Sequence, residues 1–266
     1  MAVAKVGEIN VSYKVSGNGQ PLVLIIGFGS TQNLWYSQVC AFSKHYRVVT
    51  FDNRGVGKSD KPPGPYTTKM MAGDTIALMN RLGIEKAHIV AGSMGGMIAQ
   101  KMAIDHPQRV NKIVLFCTTA GGQPWRDMLF DLIEASDPGW NRSMSDLKGA
   151  DLQKFMVAMA SRSFNGKLYQ VFIMPLVKLQ ARLGRVKVPV GQLEAMISHN
   201  ALERLNRIQA PTLVLAGGKD RLMPPHSSEV LASRIKGAKL VVIEGGAHAL
   251  AAGPLNKEVL GFLGSG

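Results

Sequence analysis

Apolar and polar residues change their spacing along this chain in a way that divides it into distinct stretches. Around Ala2 to Val6 and again around Ile9 to Ser16 they alternate with a period of two, interrupted at Gly7-Glu8. That is the signature of two half-buried strands joined by a tight turn. From Leu22 onward the short apolar runs become continuous: Leu22 to Ile26, Tyr46 to Phe51, Ala87 to Ala91 and Lys112 to Cys117. Helical spacing separates them, near Asn33 to Lys44, Thr67 to Leu82 and Met94 to His106. Strands apolar on both faces, alternating with helices, predict a parallel sheet covered by helices on each side.

After Gly121-Gly122 the strand signals stop. Residues 122–209 are helical in pattern and rich in methionine. Strands resume at Thr212 to Gly217 and Leu240 to Glu244, with helices expected near Ser227 to Ile235 and Pro254 to Leu263. The predicted organisation is α/β: a mostly parallel, doubly covered central sheet formed by residues 1–121 and 210–266, with an inserted helical cap at 122–209. In the insertion, Leu152, Phe155, Met156 and Met159 share one helical face, as core packing requires.

Composition narrows the class. The longest apolar runs fall well short of the roughly 20 residues that a membrane span needs. The first residues alternate like a strand and lack the basic and apolar regions of a secretory signal, so a cytoplasmic location is expected. Two cysteines, Cys40 and Cys117, are too few for a disulfide framework and are expected as buried thiols. A formal charge of +13 raises the question of nucleic acid. The basic residues are dispersed, however, and the densest group, Lys178, Arg182, Arg185 and Lys187, has no interleaved aromatics for stacking on bases. An ordinary solvated surface accounts for the charge without nucleic acid, with attraction to anionic substrates or surfaces as the lesser alternative. Oligomeric state leaves no mark in the pattern.

The chemistry begins at Ile89-Val90-Ala91-Gly92-Ser93-Met94-Gly95-Gly96. A serine between small residues, at the end of an apolar run and the start of a helical one, reads as a nucleophile elbow. Ala91 stands where the common pattern has glycine. The plain alternative is a helix-capping serine. A nucleophilic serine needs a base and an acid that orients the base. His248 lies in the Gly245-Gly246-Ala247-His248 loop after the last strand, and Asp220 follows Gly217-Gly218-Lys219 after the strand before it. The order Ser93, Asp220, His248, each at the carboxyl end of a predicted strand, suits a triad. His45, His88, His106, His199 and His226 lack metal-ligand spacing, and no phosphate-binding glycine loop is present. Neither metal nor cofactor is expected.

These motifs resemble those of the α/β-hydrolase fold superfamily, in its capped branch of enol-lactonases, esterases, perhydrolases and carbon–carbon bond hydrolases. The resemblance runs nearly end to end. It includes Asp52-Asn53-Arg54-Gly55-Val56-Gly57-Lys58-Ser59, similar to a D-x-R-G-x-G-x-S loop that Asp52, Arg54 and Ser59 would hold together, and Ile26-Gly27-Phe28-Gly29-Ser30, similar to the oxyanion loop. Ile26 replaces the usual histidine of that loop, which leaves its bracing open. The resemblance implies catalytic Ser93, His248 and Asp220, with the backbone N–H groups of Phe28 and Met94 as oxyanion donors. Trp125, Met128, Leu129, Phe155 and Met156 are candidates for an apolar substrate pocket. The expected activity is hydrolysis of a small carboxylic ester or lactone through an acyl-enzyme. Carbon–carbon bond hydrolysis or cofactor-free perhydrolysis on the same triad, and ligand reception with vestigial hydrolysis, are the alternatives.

Overall fold

A computed structural model of the chain describes residues 1–134, 150–163, 173–183 and 187–265. Strands β1 (Ala2–Val6) and β2 (Ile9–Ser16) form an antiparallel hairpin, and β2 continues antiparallel onto β4 (Arg47–Phe51). Strands β3 (Pro21–Ile25), β5 (Ala87–Gly92), β6 (Val110–Phe116), β7 (Thr212–Gly217) and β8 (Lys239–Ile243) join β4 in parallel. The order across the sheet is β1-β2-β4-β3-β5-β6-β7-β8. Central strands are buried on both faces, as their unbroken apolar runs require: β5 and β7 have no exposed residue.

Alternate residues of each strand feed two cores. Val23, Ile25, Ile89, Ala91, Ile113 and Leu115 face the larger, which holds helices α2 (Thr68–Arg81), α3 (Met94–Asp105) and α8 (Pro225–Arg234). Leu22, Leu24, Val90, Val114 and Leu215 face the smaller, packed against α1 (Tyr36–Phe42) and α9 (Ala252–Gly264). The chain therefore leaves β3 toward one face and leaves β5 toward the other. That divergence opens a crevice at the carboxyl ends of β3 and β5, where sites in such sheets are built.

Between β6 and β7 the described chain is helical: α4 (Gln123–Glu134), α5 (Ala150–Ser163), α6 (Met174–Arg182) and α7 (Val190–Ile197). Its entry and exit are tied to each other. Gly121 bridges Asn200, the Ala201 amide donates to the Ala120 carbonyl at 2.8 Å, and the Gly122 amide donates to the His199 carbonyl at 2.9 Å. Gly121 has φ +74°, and any side chain there would run into the His199 carbonyl. Element ends move by at most a few residues from the expected ones. The main differences are a 3-10 turn at Gln32–Trp35 before α1 and a start of β6 at Val110.

One expectation is corrected. Cys117 is buried, but Cys40 is exposed. In short α1 the buried positions are Gln38 and Phe42, so Cys40 falls on the opposite, solvent side.

His199 joins the insertion to the core. Its Nδ1 lies 2.9 Å from Thr68 Oγ1 on α2 and its Nε2 lies 3.4 Å from Gln100 Oε1 on α3. Gln100 Nε2 donates to the Thr119 carbonyl, so Oε1 is the atom facing the ring. The imidazole therefore donates from Nε2 and accepts the Thr68 hydroxyl at Nδ1. Burial, and then the charge of Lys101, push its pKa down to about 3. A neutral buried histidine that is depressed below its unfolded value of about 6.5 favours the unfolded state, which takes up the proton, as pH falls. Its contribution is intact above pH 6.5 and is lost progressively toward pH 3. We expect urea-unfolding free energies measured at pH 7, 6 and 5 to fall with a slope that His199→Gln makes shallower, the difference growing through pH 6.5 toward the one-proton limit of about 1.4 kcal/mol per pH unit near pH 5. Equal slopes in the two proteins would contradict this assignment.

Candidate active site

Ser93 occupies the turn between β5 and α3 with φ 55° and ψ −127°. Left-handed backbone at a residue with a Cβ costs about 1–3 kcal/mol and persists only where the surroundings enforce it. They do so here from several sides. The Ser93 amide donates to the Phe116 carbonyl on β6 at 3.0 Å, and Thr118 Oγ1 donates to the Ser93 carbonyl at 2.7 Å. Gly95 lies directly under the Ile25 carbonyl of β3, Gly92 against the Phe116 ring and Gly96 against Thr118, with no room for a side chain at any of the three. Ala91, in the glycine position of the common motif, is fully buried within β5, where a methyl group fits.

The other two residues arrive from the neighbouring strand ends. Asp220 follows β7, and its side chain is fully shielded from solvent. Its Oδ1 accepts the amides of Leu222 and Met223, each at 2.8 Å, and its Oδ2 lies 2.9 Å from His248 Nδ1. The carboxylate is an acceptor, so Nδ1 carries the proton and Nε2 presents a lone pair. That Nε2 is 3.1 Å from Ser93 Oγ. The three predicted residues thus form one continuous hydrogen-bonded chain, with Ser93 and His248 partly open to solvent. It can draw a proton from the hydroxyl into the imidazole while the carboxylate offsets the positive charge that results.

Phe28 and Met94 flank this chain. Met94 opens α3, where first-turn amides have no acceptor within the helix and form the positive end of its dipole. Phe28 belongs to a turn in which the Ser30 amide donates to the Gly27 carbonyl at 3.4 Å. A Cβ at Gly27 would stand 3.1 Å from Ser93 Cβ, so this loop runs beside the serine and glycine permits the approach.

Some roles differ from the sequence expectation. Asp52 and Ser59 do hold the Asp52–Ser59 loop: Asp52 accepts the Gln32 and Lys58 amides, and Ser59 Oγ donates to the Asp52 carbonyl. Arg54 instead reaches out to Asp74 on α2 in a two-pronged ion pair at 2.6 Å. Of the pocket candidates, Trp125, Leu129 and Phe155 are buried in the larger core, with Trp125 Nε1 donating to the Met196 carbonyl. Met128 and Met156 are only partly buried against it. The side chain of Leu152 and all of Arg185 lie outside the described residues. His226 is exposed beside Glu229, as expected of a surface histidine.

Sequence reasoning missed three residues around the site. Asn53 Nδ2 donates to the Ile26 carbonyl at 3.0 Å, and Gln192 on α7 reaches Gly29. Cys117, at φ 47°, sits beside Asp220. Burial, and then the Asp220 charge, push its thiol well above the usual range, so the sulfur stays protonated. Ligand atoms of Cys117, Asp220 and His248 lie within 4.8 Å of one another. Metal coordination there would require loss of that thiol proton and of the proton between Asp220 and His248. Only Asn53 carried a signal, from its place inside the Asp52–Ser59 motif.

Residues 20–251 match the profile of the alpha/beta hydrolase fold family. The chain belongs to this family. Its similarity extends to proteins with different names. A Mycobacterium tuberculosis H37Rv protein named "Putative non-heme bromoperoxidase BpoC" is 31% identical over 90% of this chain and 91% of its own length. An Azorhizobium caulinodans protein named "Putative carbamate hydrolase RutD" is 24% identical over 99% of this chain and 98% of its own. The crystal structure of the enol-lactonase from Burkholderia xenovorans LB400 superposes with a TM-score of 0.78 at 28% identity, covering 99% of this chain and all of that one. Like other members of the alpha/beta hydrolase fold, the chain has a mostly parallel eight-stranded sheet. Among the described residues no helix is long and apolar enough to cross a membrane.

The elbow makes a steric prediction. Gly95→Ala forces α3 away from the β3 carbonyl and should cost about 1–3 kcal/mol as an overpacking substitution. Gly73→Ala, in open space on α2, should instead gain about 0.5–1 kcal/mol. Thermal unfolding of the two variants beside the parent checks both signs.

Proposed function

We propose that the protein is a serine hydrolase that cleaves a small carboxylic ester or lactone through an acyl-enzyme. The observation that carries the reading is the chain from Ser93 Oγ to His248 Nε2 at 3.1 Å and from His248 Nδ1 to Asp220 Oδ2 at 2.9 Å, built on a strained turn. Ser93 Oγ attacks the carbonyl carbon as His248 Nε2 takes its proton. The carbonyl electron pair moves to oxygen, where the Phe28 and Met94 amides stabilise the oxyanion. The tetrahedral intermediate collapses, and His248 returns the proton to the departing alkoxide. Water then repeats the sequence on the acyl-enzyme, with His248 first as base and then as acid, and regenerates Ser93. Asp220 holds the imidazole in the required tautomer throughout.

Ester or lactone is favoured within the family because it asks for nothing beyond these groups, and the similarity to an enol-lactonase supports it. In this reading residues 122–209 act as a cap over the core, with the partly buried Met128 and Met156 turned to the acyl group and Trp125, Leu129 and Phe155 forming the support behind them. Carbon–carbon bond hydrolysis, perhydrolysis and ligand reception compete with it, and a panel of p-nitrophenyl esters, lactones and ring-fission products distinguishes the reactions.

We expect short-chain p-nitrophenyl esters or lactones to be turned over, and Ser93→Ala to lower kcat by roughly 10⁴-fold or more. Fluorophosphonate labelling should fall on Ser93 alone. Near-normal ester hydrolysis by Ser93→Ala would refute the acyl-enzyme, and turnover confined to ring-fission products would refute the substrate class.

A further inference from the structure

The loop beside Ser93 lacks the histidine usual at Ile26, yet its carbonyls and amides are fastened. Three peptide groups matter. The Ile26 carbonyl accepts Asn53 Nδ2, and the Gly27 carbonyl accepts the Ser30 amide. The third, between Phe28 and Gly29, is held at both ends: the Phe28 carbonyl accepts Ser30 Oγ at 3.2 Å, and the Gly29 amide donates to Gln192 Oε1 at 2.9 Å. The Phe28 N–H shares one planar peptide group with the Gly27 carbonyl, so the Ser30 bond sets its direction, and the Gln192 bond on the next peptide group limits rotation about the Phe28 Cα that joins the two.

Gln192 comes from the helical insertion, 163 residues further along the chain, and is fully buried. Its second group is also used: Nε2 donates to the Arg54 carbonyl at 2.7 Å. The orientation of the amide follows without ambiguity, since Gly29 N–H can only donate and the Arg54 carbonyl can only accept. One side chain thus links α7, the Phe28 loop and the Asp52–Ser59 loop. The seat of α7 is itself defined, for Gly191 is packed so closely on Tyr66 that a Cβ would stand 2.7 Å from the ring, and the Arg54 guanidinium lies over that ring, 5.4 Å from its centroid. A buried glutamine with both ends bonded to backbone is poorly explained as packing, because a methionine would fill the same volume without polar groups to desolvate.

We infer that Gln192 is a positioning residue, which holds the Phe28–Gly29 turn in the geometry that accepts the oxyanion and makes that geometry depend on the seating of the insertion. The inference rests on the serine-hydrolase reading for its kinetic consequence but not for the bond itself. Both hydrogen bonds of Gln192 go to backbone atoms of the two loops, and neither goes to Ser93. Its effect should therefore appear in the transition state more than in substrate binding.

The test compares the parent with Gln192→Met and Ser93→Ala. For Gln192→Met on a p-nitrophenyl ester we expect kcat to fall by about 10–100-fold with KM within about threefold, less than the roughly 10²–10³-fold that outright loss of an oxyanion donor costs. Affinity for an aryl trifluoromethyl ketone, which forms an oxyanion on Ser93, should weaken by a similar factor. In the parent the Gly29 amide should be protected from hydrogen exchange, and in Gln192→Met it should exchange at least tenfold faster. A kcat within twofold of the parent, or a loss that falls on KM alone, overturns the inference while Ser93→Ala inactivity leaves the serine-hydrolase reading standing. Should Ser93→Ala remain active, that reading fails, and unchanged Gly29 exchange in Gln192→Met would overturn the bracing role separately. If Gln192→Met does not fold, rapid Gly29 exchange in the folded parent suffices to overturn it.

Discussion

The turn from β5 into α3 is the constraint around which the rest of the site is arranged. Ser93 is held in a conformation that an isolated chain would leave, at a cost of about 1–3 kcal/mol. Compensation comes from neighbours anchored in the sheet: the Phe116 carbonyl belongs to a central strand, and Thr118 grips the Ser93 carbonyl from just beyond the same strand. The close passage of Gly95 under the Ile25 carbonyl presses the helix start onto β3. The same act that lifts the hydroxyl out of the strand therefore also brings the Met94 amide and the Phe28 loop to its side. A looser turn would lose the serine position and, with it, the amides that the proposed mechanism assigns to the oxyanion.

Sheet topology places the remaining groups without further devices. The chain departs from β3 toward the face of α1 and from β5 toward the face of α3, so the loops after these neighbouring strands part and leave a crevice. Parallel strands β6 and β7 then end on the same side, which brings Thr118 and Asp220 level with Ser93. The loop after β8 returns over them and lowers His248 into the gap. Its approach is fixed by short bonds: the Gly218 amide donates to the Ile243 carbonyl, the Lys219 amide donates to the Gly246 carbonyl at 2.7 Å, and the Ala249 amide donates to the Ser163 carbonyl of α5.

The sequence was most legible where a periodic pattern and a covalent neighbourhood carried the information. Unbroken apolar runs located the central strands because burial on both faces excludes polar residues, and small residues around Ser93 exposed the elbow because larger ones would collide. Asp220 and His248 could be read from their places after strands, since topology turns position along the chain into position in space. Gln192 could not be read this way. Nothing local distinguishes a glutamine that faces solvent from one that meets a loop 163 residues away, and the helix Val190–Ile197 looks like any short amphipathic segment. His199 was hidden for the same reason: its burial depends on Thr68 and Gln100, which only the folded packing of α2 and α3 brings together. Cys40 failed in the opposite direction, because a residue type that is usually buried fell on the outer side of a two-turn helix.

The bonds of Gln192 bear on how substrate choice and chemistry can be separated in this protein. Both of its partners are backbone atoms, so the loops it joins can change side chains without disturbing the link. The helix that carries it has less freedom. Shifting α7 by one residue would rotate the side chain by about 100°, away from both partners, and any side chain at Gly191 would strike Tyr66. On the proposed mechanism, surfaces of the insertion turned toward the substrate are open to variation in shape and polarity, whereas the register of α7 is fixed by its bonds to the Phe28–Gly29 and Asp52–Ser59 loops. The helical insertion is on this account two things at once: a variable wall on one side and a rigid strut on the other.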